Sequence, residues 1–120
     1  RRASLTLAEL LASPVILTGK DSSVRELFED AVKREKLTFT IAYETNYMST
    51  AIGLVKSGLG IAILPEAAAE MSRPGEISCI AIHAPSLSRK IEVIQRKDRT
   101  LSPSAARMVQ ILKQAARHLA

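Results

Sequence analysis

Residues 55–65 read V-K-S-G-L-G-I-A-I-L-P, and this stretch decides how the chain is expected to fold. Its first part has the composition of a helix end, and Gly58 stands where a helix-terminating residue with positive φ belongs. The run from Gly60 to Leu64 is apolar and is stopped by Pro65, which is typical of a short strand buried on both faces. The stretch therefore predicts a helix, a glycine turn and a strand of a parallel sheet.

Two strand–helix units of the same kind precede this stretch. An apolar run at 14–17 predicts a strand. The helical spacing of the apolar residues after it predicts a helix that begins at about Ser23 with a capping box. Arg25 is expected on the solvated face of this helix. Residues 38–44 predict a second strand, after which Asn46 can cap the next helix. Short apolar strands that alternate with amphipathic helices imply an α/β fold, with a parallel-core sheet flanked by helices.

The pattern changes downstream. Residues 77–82 and 89–96 predict two strands without a helix between them. Ser102-Pro103 then predicts the start of a long final helix, because proline is favoured at the first helical position. Apolar residues form one stripe along this helix, and they are Ala105, Met108, Val109, Leu112, Ala116 and Leu119.

The composition excludes several classes of protein. The chain has 120 residues, 47% of them hydrophobic and 24% charged, which is normal for one globular domain. No apolar stretch approaches the roughly 18 residues that a membrane span requires. The single cysteine, Cys79, excludes an internal disulfide and favours a reducing compartment. The net charge of +5 lies almost wholly in residues 81–120, where we expect it to face solvent or another subunit.

Residues 55–65 resemble the V-x-x-G-x-G-I-x-x-L-P segment of LysR-type transcriptional regulators. Three further segments agree with that family in content and order, and they are residues 7–10 ahead of the first strand, residues 87–99 as a late crossover strand with a basic end, and residues 101–106 as the start of the last helix. The resemblance covers essentially the whole chain. It implies a lobe like those of type 2 periplasmic binding proteins.

The same resemblance implies a domain organisation and a function. Residues 1–100 would be the second regulatory lobe with its crossover strand, and residues 101–120 a closing helix that packs on a first lobe. The family consists of cytoplasmic bacterial regulators. This lobe would supply half of a cleft for a small, anionic effector. Through lobe closure in a homo-oligomer, a dimer or a tetramer, it would control DNA binding by a winged helix-turn-helix that has no counterpart in this sequence.

Polar residues follow the first two predicted strands. Ligands of parallel α/β lobes bind beyond the carboxyl ends of the strands, where helix N-termini present free N–H groups. The expected effector-binding residues are Thr18, Gly19, Lys20, Ser22 and Ser23 in the first loop and Thr45 and Asn46 in the second. Capping by the serine and the asparagine, with a simple turn at the glycine, would explain the same residues without a ligand.

The resemblance also implies a subunit interface. The strand at 38–44 is expected at the edge of the sheet, where unpaired N–H and C=O groups can bind another chain. In the family, this strand and the helix before it contact the partner subunit. The corresponding residues are Val24, Leu27, Phe28 and Ala31 on the helix and Phe39, Ile41 and Tyr43 on the strand.

No arrangement of residues predicts catalysis or metal binding. His83 and His118 have no neighbour at the spacing of a metal ligand or catalytic partner, and Cys79 is expected in the core of an apolar strand. Gly58 and Gly60 follow a helix and precede a strand, which is the reverse of a phosphate-binding loop. We therefore expect no enzyme activity, no metal and no cofactor.

Two other classes of protein remain open on the sequence. One is a lobe of a periplasmic solute-binding protein, which an upstream signal peptide would indicate, whereas an upstream winged helix-turn-helix would indicate the regulator. The other is a lobe of an enzyme with the same two-lobed fold. In that enzyme, Thr18 or Glu44 at a strand end would be the catalytic candidate.

Overall fold

The computed structural model describes residues 4–119, apart from the side chains of Pro85, His118 and Leu119. In chain order the elements are β1 (Ser4–Leu5), α1 (Leu7–Leu10), β2 (Val15–Thr18), α2 (Ser23–Arg34), β3 (Ile41–Thr45), α3 (Met48–Lys56), β4 (Ile61–Ala62), a 3-10 helix (Glu66–Met71), β5 (Ala81–Ile82), a second 3-10 helix (Pro85–Leu87) and α4 (Pro103–Leu119). The chain forms two compact units, of which the first ends at Arg89 and the second begins at Lys90.

A three-stranded parallel sheet lies in the first unit, in the order β3-β2-β4. Val15 of β2 is paired with Ile41 of β3 on one side and with Ile61 of β4 on the other. Helices join these strands, so the α/β fold with a parallel-core sheet flanked by helices is confirmed. The predicted edge position of β3 is confirmed as well, although the strand lies at 41–45 rather than 38–44.

A second, two-stranded sheet pairs β5 in parallel with β1. Leu5 lies opposite Ile82, and β1 has only two residues, so pairing cannot extend over the whole strand predicted at 77–82. Cys79 lies outside the paired residues and is exposed. The prediction of a buried cysteine in an apolar strand is therefore wrong, because only part of the apolar run forms a strand.

The core of the first unit forms between α2 and the sheet. Helix α2 buries Phe28, Ala31 and Val32 in a cluster with residues of β2, a strand that is buried along its full length. The rings of Phe28 and Phe39 meet edge to face, with 5.3 Å between their centroids. Phe28 and Ala31 were expected at a subunit interface. Their side chains lie in the chain's own core and cannot contact a partner.

The helix caps differ from the sequence expectation. The N-cap of α2 is Ser22 rather than Ser23, and that of α3 is Tyr47 rather than Asn46. Neither N-cap makes a side-chain capping hydrogen bond, so the predicted capping box is not formed. Ser23 lies within the first turn of α2, where its hydroxyl accepts a hydrogen bond from Arg89 instead.

Two glycines place β4 beside β2. Gly58 has φ 73°, as expected for a residue that ends a helix, and Gly60 has φ 152°. A Cβ atom on Gly60 would lie 3.3 Å from Cγ1 of Ile16, so the absence of a side chain lets β4 approach β2 closely. The ladder continues beyond β4 by one bond, from the N–H of Ile63 to the carbonyl of Ile16.

The second unit begins with an irregular segment, residues 90–102. The strand predicted at 89–96 is wrong, because these residues join neither of the sheets found within residues 4–119. Ile94 is 90% exposed, so the described part of the chain covers almost none of its side chain. The alternating apolar pattern is present, but a strand also needs a partner strand to bond with.

Helix α4 begins as the sequence predicts. The N–H of Ala105 donates to Oγ of Ser102 at 3.3 Å, and Pro103 occupies the first helical position. Met108 and Leu112 of the predicted apolar stripe are exposed. Packing of this stripe on a first lobe stays a prediction.

Candidate effector site at the carboxyl ends of β2 and β3

The carboxyl ends of β2 and β3 bring together the two loops that the sequence assigns to an effector. Thr18 lies opposite Thr45 in the sheet, and the N–H of Gly19 donates to the carbonyl of Thr45 at 3.1 Å. A Cβ atom on Gly19 would lie 2.5 Å from Oδ1 of Asn46. Glycine is therefore needed at this position for the Asn46 amide to lie against the first loop.

Hydrogen bonds within the first loop, residues 18–23, define its shape. Oγ1 of Thr18 donates to Oγ of Ser22 at 2.9 Å, and the N–H of Ser22 donates to the carbonyl of Gly19 at 3.0 Å. Thr18 is buried, whereas Lys20 is exposed. Helix α2 follows directly, and its first-turn N–H groups have neither an intrahelical partner nor a capping side chain. A helix N-terminus in this state favours negatively charged groups.

The second loop is the turn from β3 to α3. The N–H of Tyr47 donates to Oγ1 of Thr45 at 3.2 Å, which forms a side-chain turn at the start of the helix. Asn46 and Tyr47 are exposed. Thr45 therefore fixes the backbone of this loop, and the next two residues present their side chains to solvent.

Arg25 contributes a buried charge that the sequence analysis missed. The prediction that it lies on a solvated face is wrong, since its side chain is only 3% exposed. Nη1 donates to the Thr18 carbonyl at 3.2 Å and to Oε2 of Glu44 at 3.0 Å, while Nε donates to Glu29. Burial alone would lower the pKa of Arg25, but hydrogen bonds and charges from Glu29 and Glu44 outweigh burial and raise it.

Arg89 is the second residue that the sequence analysis did not place here. Its Nη1 atom donates to Oγ of Ser23 at 2.9 Å, in the first turn of α2. The two residues are 66 positions apart, so no local pattern could have revealed the contact. For Arg25 one signal was available, because Arg25 and Glu29 stand at the i, i+4 spacing of a helical ion pair.

The cationic side chains around the first loop differ in whether they form an ion pair. The charge of Arg25 is offset by the carboxylates of Glu29 and Glu44. Lys20 and Arg89 form no ion pair within residues 4–119. The two exposed cations, together with the N-terminus of α2, leave this part of the site attractive to an anion.

Comparison with known proteins shows the family of the chain. The family model described as the LysR substrate binding domain matches residues 1–117. The chain belongs to the LysR substrate-binding domain family. It is 34% identical over 104 residues to the uncharacterized HTH-type transcriptional regulator YbhD of Escherichia coli (strain K12). The matched region covers 87% of the chain and 33% of that relative.

Two relatives come from Bacillus subtilis (strain 168). The uncharacterized HTH-type transcriptional regulator YybE is 32% identical over 87% of the chain and 35% of its own length. The transcriptional dual regulator GltC is 27% identical over 88% of the chain and 35% of its own length. The chain thus spans about a third of the length of the curated relatives it matches.

The surface expected to contact another subunit of a LysR-type protein is only partly exposed. Ile41 and Tyr43 on β3 are exposed, at 41% and 43% of their surface. Val24 and Phe39 are partly buried and pack against the chain's own core, and Leu27 is also partly buried. The exposed part of the predicted interface is therefore the β3 side of the sheet.

Thr18 and Glu44, the catalytic candidates if the chain were a lobe of an enzyme, both bond to other side chains of this chain. The Thr18 hydroxyl donates to another hydroxyl, and the Glu44 carboxylate binds the Arg25 guanidinium. In the part of the chain that the structure describes, no group of three metal-binding side chains converges. Within the same residues, no helix has the length and apolar character needed to cross a membrane.

Proposed function

We propose that this chain is the effector-sensing part of a LysR-type transcriptional regulator. Residues 1–100 would be the second lobe of the effector-binding domain with its crossover strand, and residues 101–120 a closing helix that packs on the first lobe. The regulator would act in the cytoplasm as a homo-oligomer and bind DNA through a winged helix-turn-helix. The lobe would bind a ligand and catalyse no reaction.

One observation carries this proposal. The hydrogen bond from Gly19 to the Thr45 carbonyl joins two polar loops at the carboxyl edge of the sheet, where ligands of parallel α/β folds bind. The residues that we assign to the effector are Thr18, Gly19, Lys20, Ser22, Ser23, Thr45 and Asn46. This surface would form half of a cleft that a second lobe completes.

We assign the effector a negatively charged group, such as a carboxylate. The first-turn N–H groups of α2 carry partial positive charge, and Lys20 and Arg89 add two exposed cations beside them. A carboxylate at this place would accept hydrogen bonds that the helix leaves unmade. The Asn46 amide would then contact a neighbouring polar group of the same molecule.

Effector binding would act on DNA by changing the relative populations of open and closed lobes. A ligand shifts such an equilibrium only by the difference in its affinity for the two states. An effector that contacts both lobes at once binds the closed state more tightly. In an oligomer, that closure would move the DNA-binding domains relative to each other.

The β3 side of the sheet is the surface that we propose for subunit contact. Its outer edge has no partner strand among residues 4–119, so its backbone groups are open to another chain. Ile41 and Tyr43 add exposed apolar area to that edge. Val24 and Leu27 would contribute through the parts of their side chains that remain exposed.

Thermal-shift measurements with Gly19→Ala test the effector site. Small carboxylates, amino acids and inorganic oxyanions would be added singly to the wild-type chain and to the variant. The new methyl group would displace the Asn46 amide, so we expect a compound that stabilises the wild type to lose its effect. A hundredfold excess over Kd stabilises a protein by about 2.7 kcal/mol, which raises Tm by several degrees.

Gly53→Ala is the matched control for this experiment. Gly53 lies within α3, and a Cβ atom there would have no neighbour within 4 Å. The control should therefore respond to the compound as the wild type does. An equal response of Gly19→Ala, or stabilisation of no variant by any compound in the panel, would contradict the proposed site.

A further inference from the structure

Arg25 is placed to control the shape of the proposed effector site. Its side chain is only 3% exposed, and its guanidinium forms hydrogen bonds to residues of three elements. One bond reaches the Thr18 carbonyl at the end of β2, one reaches Glu44 near the end of β3, and one reaches Glu29 on α2. A single rigid group thus connects both strand ends to the helix that follows the first loop.

The chemistry of arginine suits this role. Its guanidinium is planar and carries five N–H donors in a fixed arrangement, so several acceptors bound to it must keep fixed relative positions. Burying a charge has a large desolvation cost, and apolar replacements of buried ion pairs are often neutral or stabilising. Stability alone is therefore a weak reason for a guanidinium here, whereas fixed geometry is a strong one.

We propose that Arg25 is a positioning residue that fixes the two effector loops relative to each other. It would do so through Glu44, which ties β3 to the end of β2, and this tie would hold the Gly19 to Thr45 hydrogen bond in place. The inference rests on the proposed function, because the loops matter only if they bind an effector. The positioning itself is a property of the chain alone and can be measured without any ligand.

Two variants of the full chain separate positioning from general stabilisation. Glu44→Ala removes the tie from Arg25 to β3, and Glu29→Ala removes a contact of the same chemistry that lies wholly within α2. The two carboxylates are nearly equally exposed, at 44% and 45%, which makes the variants a matched pair. Both variants keep Arg25, so neither creates the cavity that its removal would leave.

Amide hydrogen exchange of Gly19 is the first measurement. We expect exchange at Gly19 to become about tenfold faster in Glu44→Ala, since one charge-assisted hydrogen bond is lost. The amide of Ile63, which donates to Ile16 on the other side of β2, should change less than about twofold. In Glu29→Ala, both amides should exchange at close to the wild-type rate.

Inorganic phosphate serves as the probe in the second measurement, in which the Gly19 and Ser23 amide shifts are followed by NMR. Phosphate should bind about tenfold more weakly to Glu44→Ala than to Glu29→Ala, because each variant loses one negative charge beside Arg25 and only Glu44→Ala loses the tie to β3. If phosphate fails to shift these amides in the wild type, the anionic part of the proposed function is contradicted, and Gly19 exchange still decides the positioning role. Equal exchange of Gly19 in the two variants would overturn the positioning role itself.

Discussion

The two ends of the three-stranded sheet differ in how they are held together. At the carboxyl end, polar contacts join the elements, and they include the buried guanidinium of Arg25 and the hydroxyl pair of Thr18 and Ser22. At the amino end, Gly60 lies close to the Ile16 side chain, and the N–H of Val15 donates to the carbonyl of Thr40 at 2.9 Å. A shallow groove there lies between β3 and the turn before β4, and Ile41, Tyr43, Leu59 and Ile61 line it among other residues.

This difference indicates separate roles for the two ends. Polar contacts leave donors, acceptors and charge at the surface, and these can recognise a small ligand. The amino end instead depends on close approach of the backbone, as at Gly60 beside Ile16. Substitutions at the amino end should therefore change stability most, whereas substitutions at the carboxyl end should change ligand binding more than stability.

The largest effect on stability is expected for Gly60→Ala, at the amino end. Alanine is strained at φ 152°, and its methyl group would lie 3.3 Å from Ile16 Cγ1. We expect the free energy of unfolding to fall by about 1–3 kcal/mol, measured by urea denaturation.

Gly53→Ala is the control for this substitution, because it adds the same methyl group in open space on a helix. It should raise the free energy of unfolding by about 0.5–1 kcal/mol. A Gly60→Ala variant as stable as the wild type would show that close approach does not hold the amino end together.

A smaller effect is expected for Thr18→Val, at the carboxyl end. Valine keeps the shape of threonine but loses the hydrogen bond to Ser22, whose hydroxyl is only partly buried and can bond to water. The free energy of unfolding should fall by about 1 kcal/mol in the same assay. A Thr18→Val variant as stable as the wild type would show that this hydrogen bond does not stabilise the carboxyl end.

The smallest effect is expected from an ion pair at the end of α3. Lys56 and the N–H of Arg73 hydrogen-bond to the carboxylate of Glu76 and lower its pKa below the usual 4.5. A lowered folded-state pKa contributes stability above pH 4.5 that is lost as the pH falls through the folded-state value. The Tm difference between wild type and Glu76→Gln should therefore be positive at pH 7 and shrink below about pH 4.5.

A Tm difference that stays constant from pH 7 to pH 3 would contradict the assigned ion pair. Both side chains are more than a third exposed, so high salt should also reduce the difference. The loss of stability in Gly60→Ala should stay constant over the same range of pH and salt, because backbone strain does not depend on either.

The sequence predicts elements well where local pattern and packing agree. The helix at 23–34 and the central strand at 15–18 have the expected positions, because their apolar spacing corresponds to the faces that they bury. The resemblance to LysR-type regulators, rather than local pattern, predicts the edge position of β3. The two loops of the candidate site could be placed from the sequence, because both follow strands of one parallel sheet.

The remaining features depend on contacts distant in sequence. Arg25 is buried because the register of β2 and β3 brings Glu44 to it, and Arg89 reaches Ser23 only after the intervening chain has folded. The segment at 89–96 has a strand pattern and forms no strand, because backbone pairing also requires a partner. Local pattern therefore identifies which segments can form strands, and tertiary contacts decide which of them do.

The most direct test of the effector site compares the two ends of the sheet in one NMR experiment. The compound that stabilises the wild-type chain most in the thermal-shift panel is titrated into the isotope-labelled chain, and amide shifts are mapped. We predict the largest shifts at Gly19, Ser23 and Asn46, with little change at Ala42 and Leu59 in the groove at the amino end. Shifts centred on that groove, with the carboxyl-end loops unchanged, would contradict the proposed site.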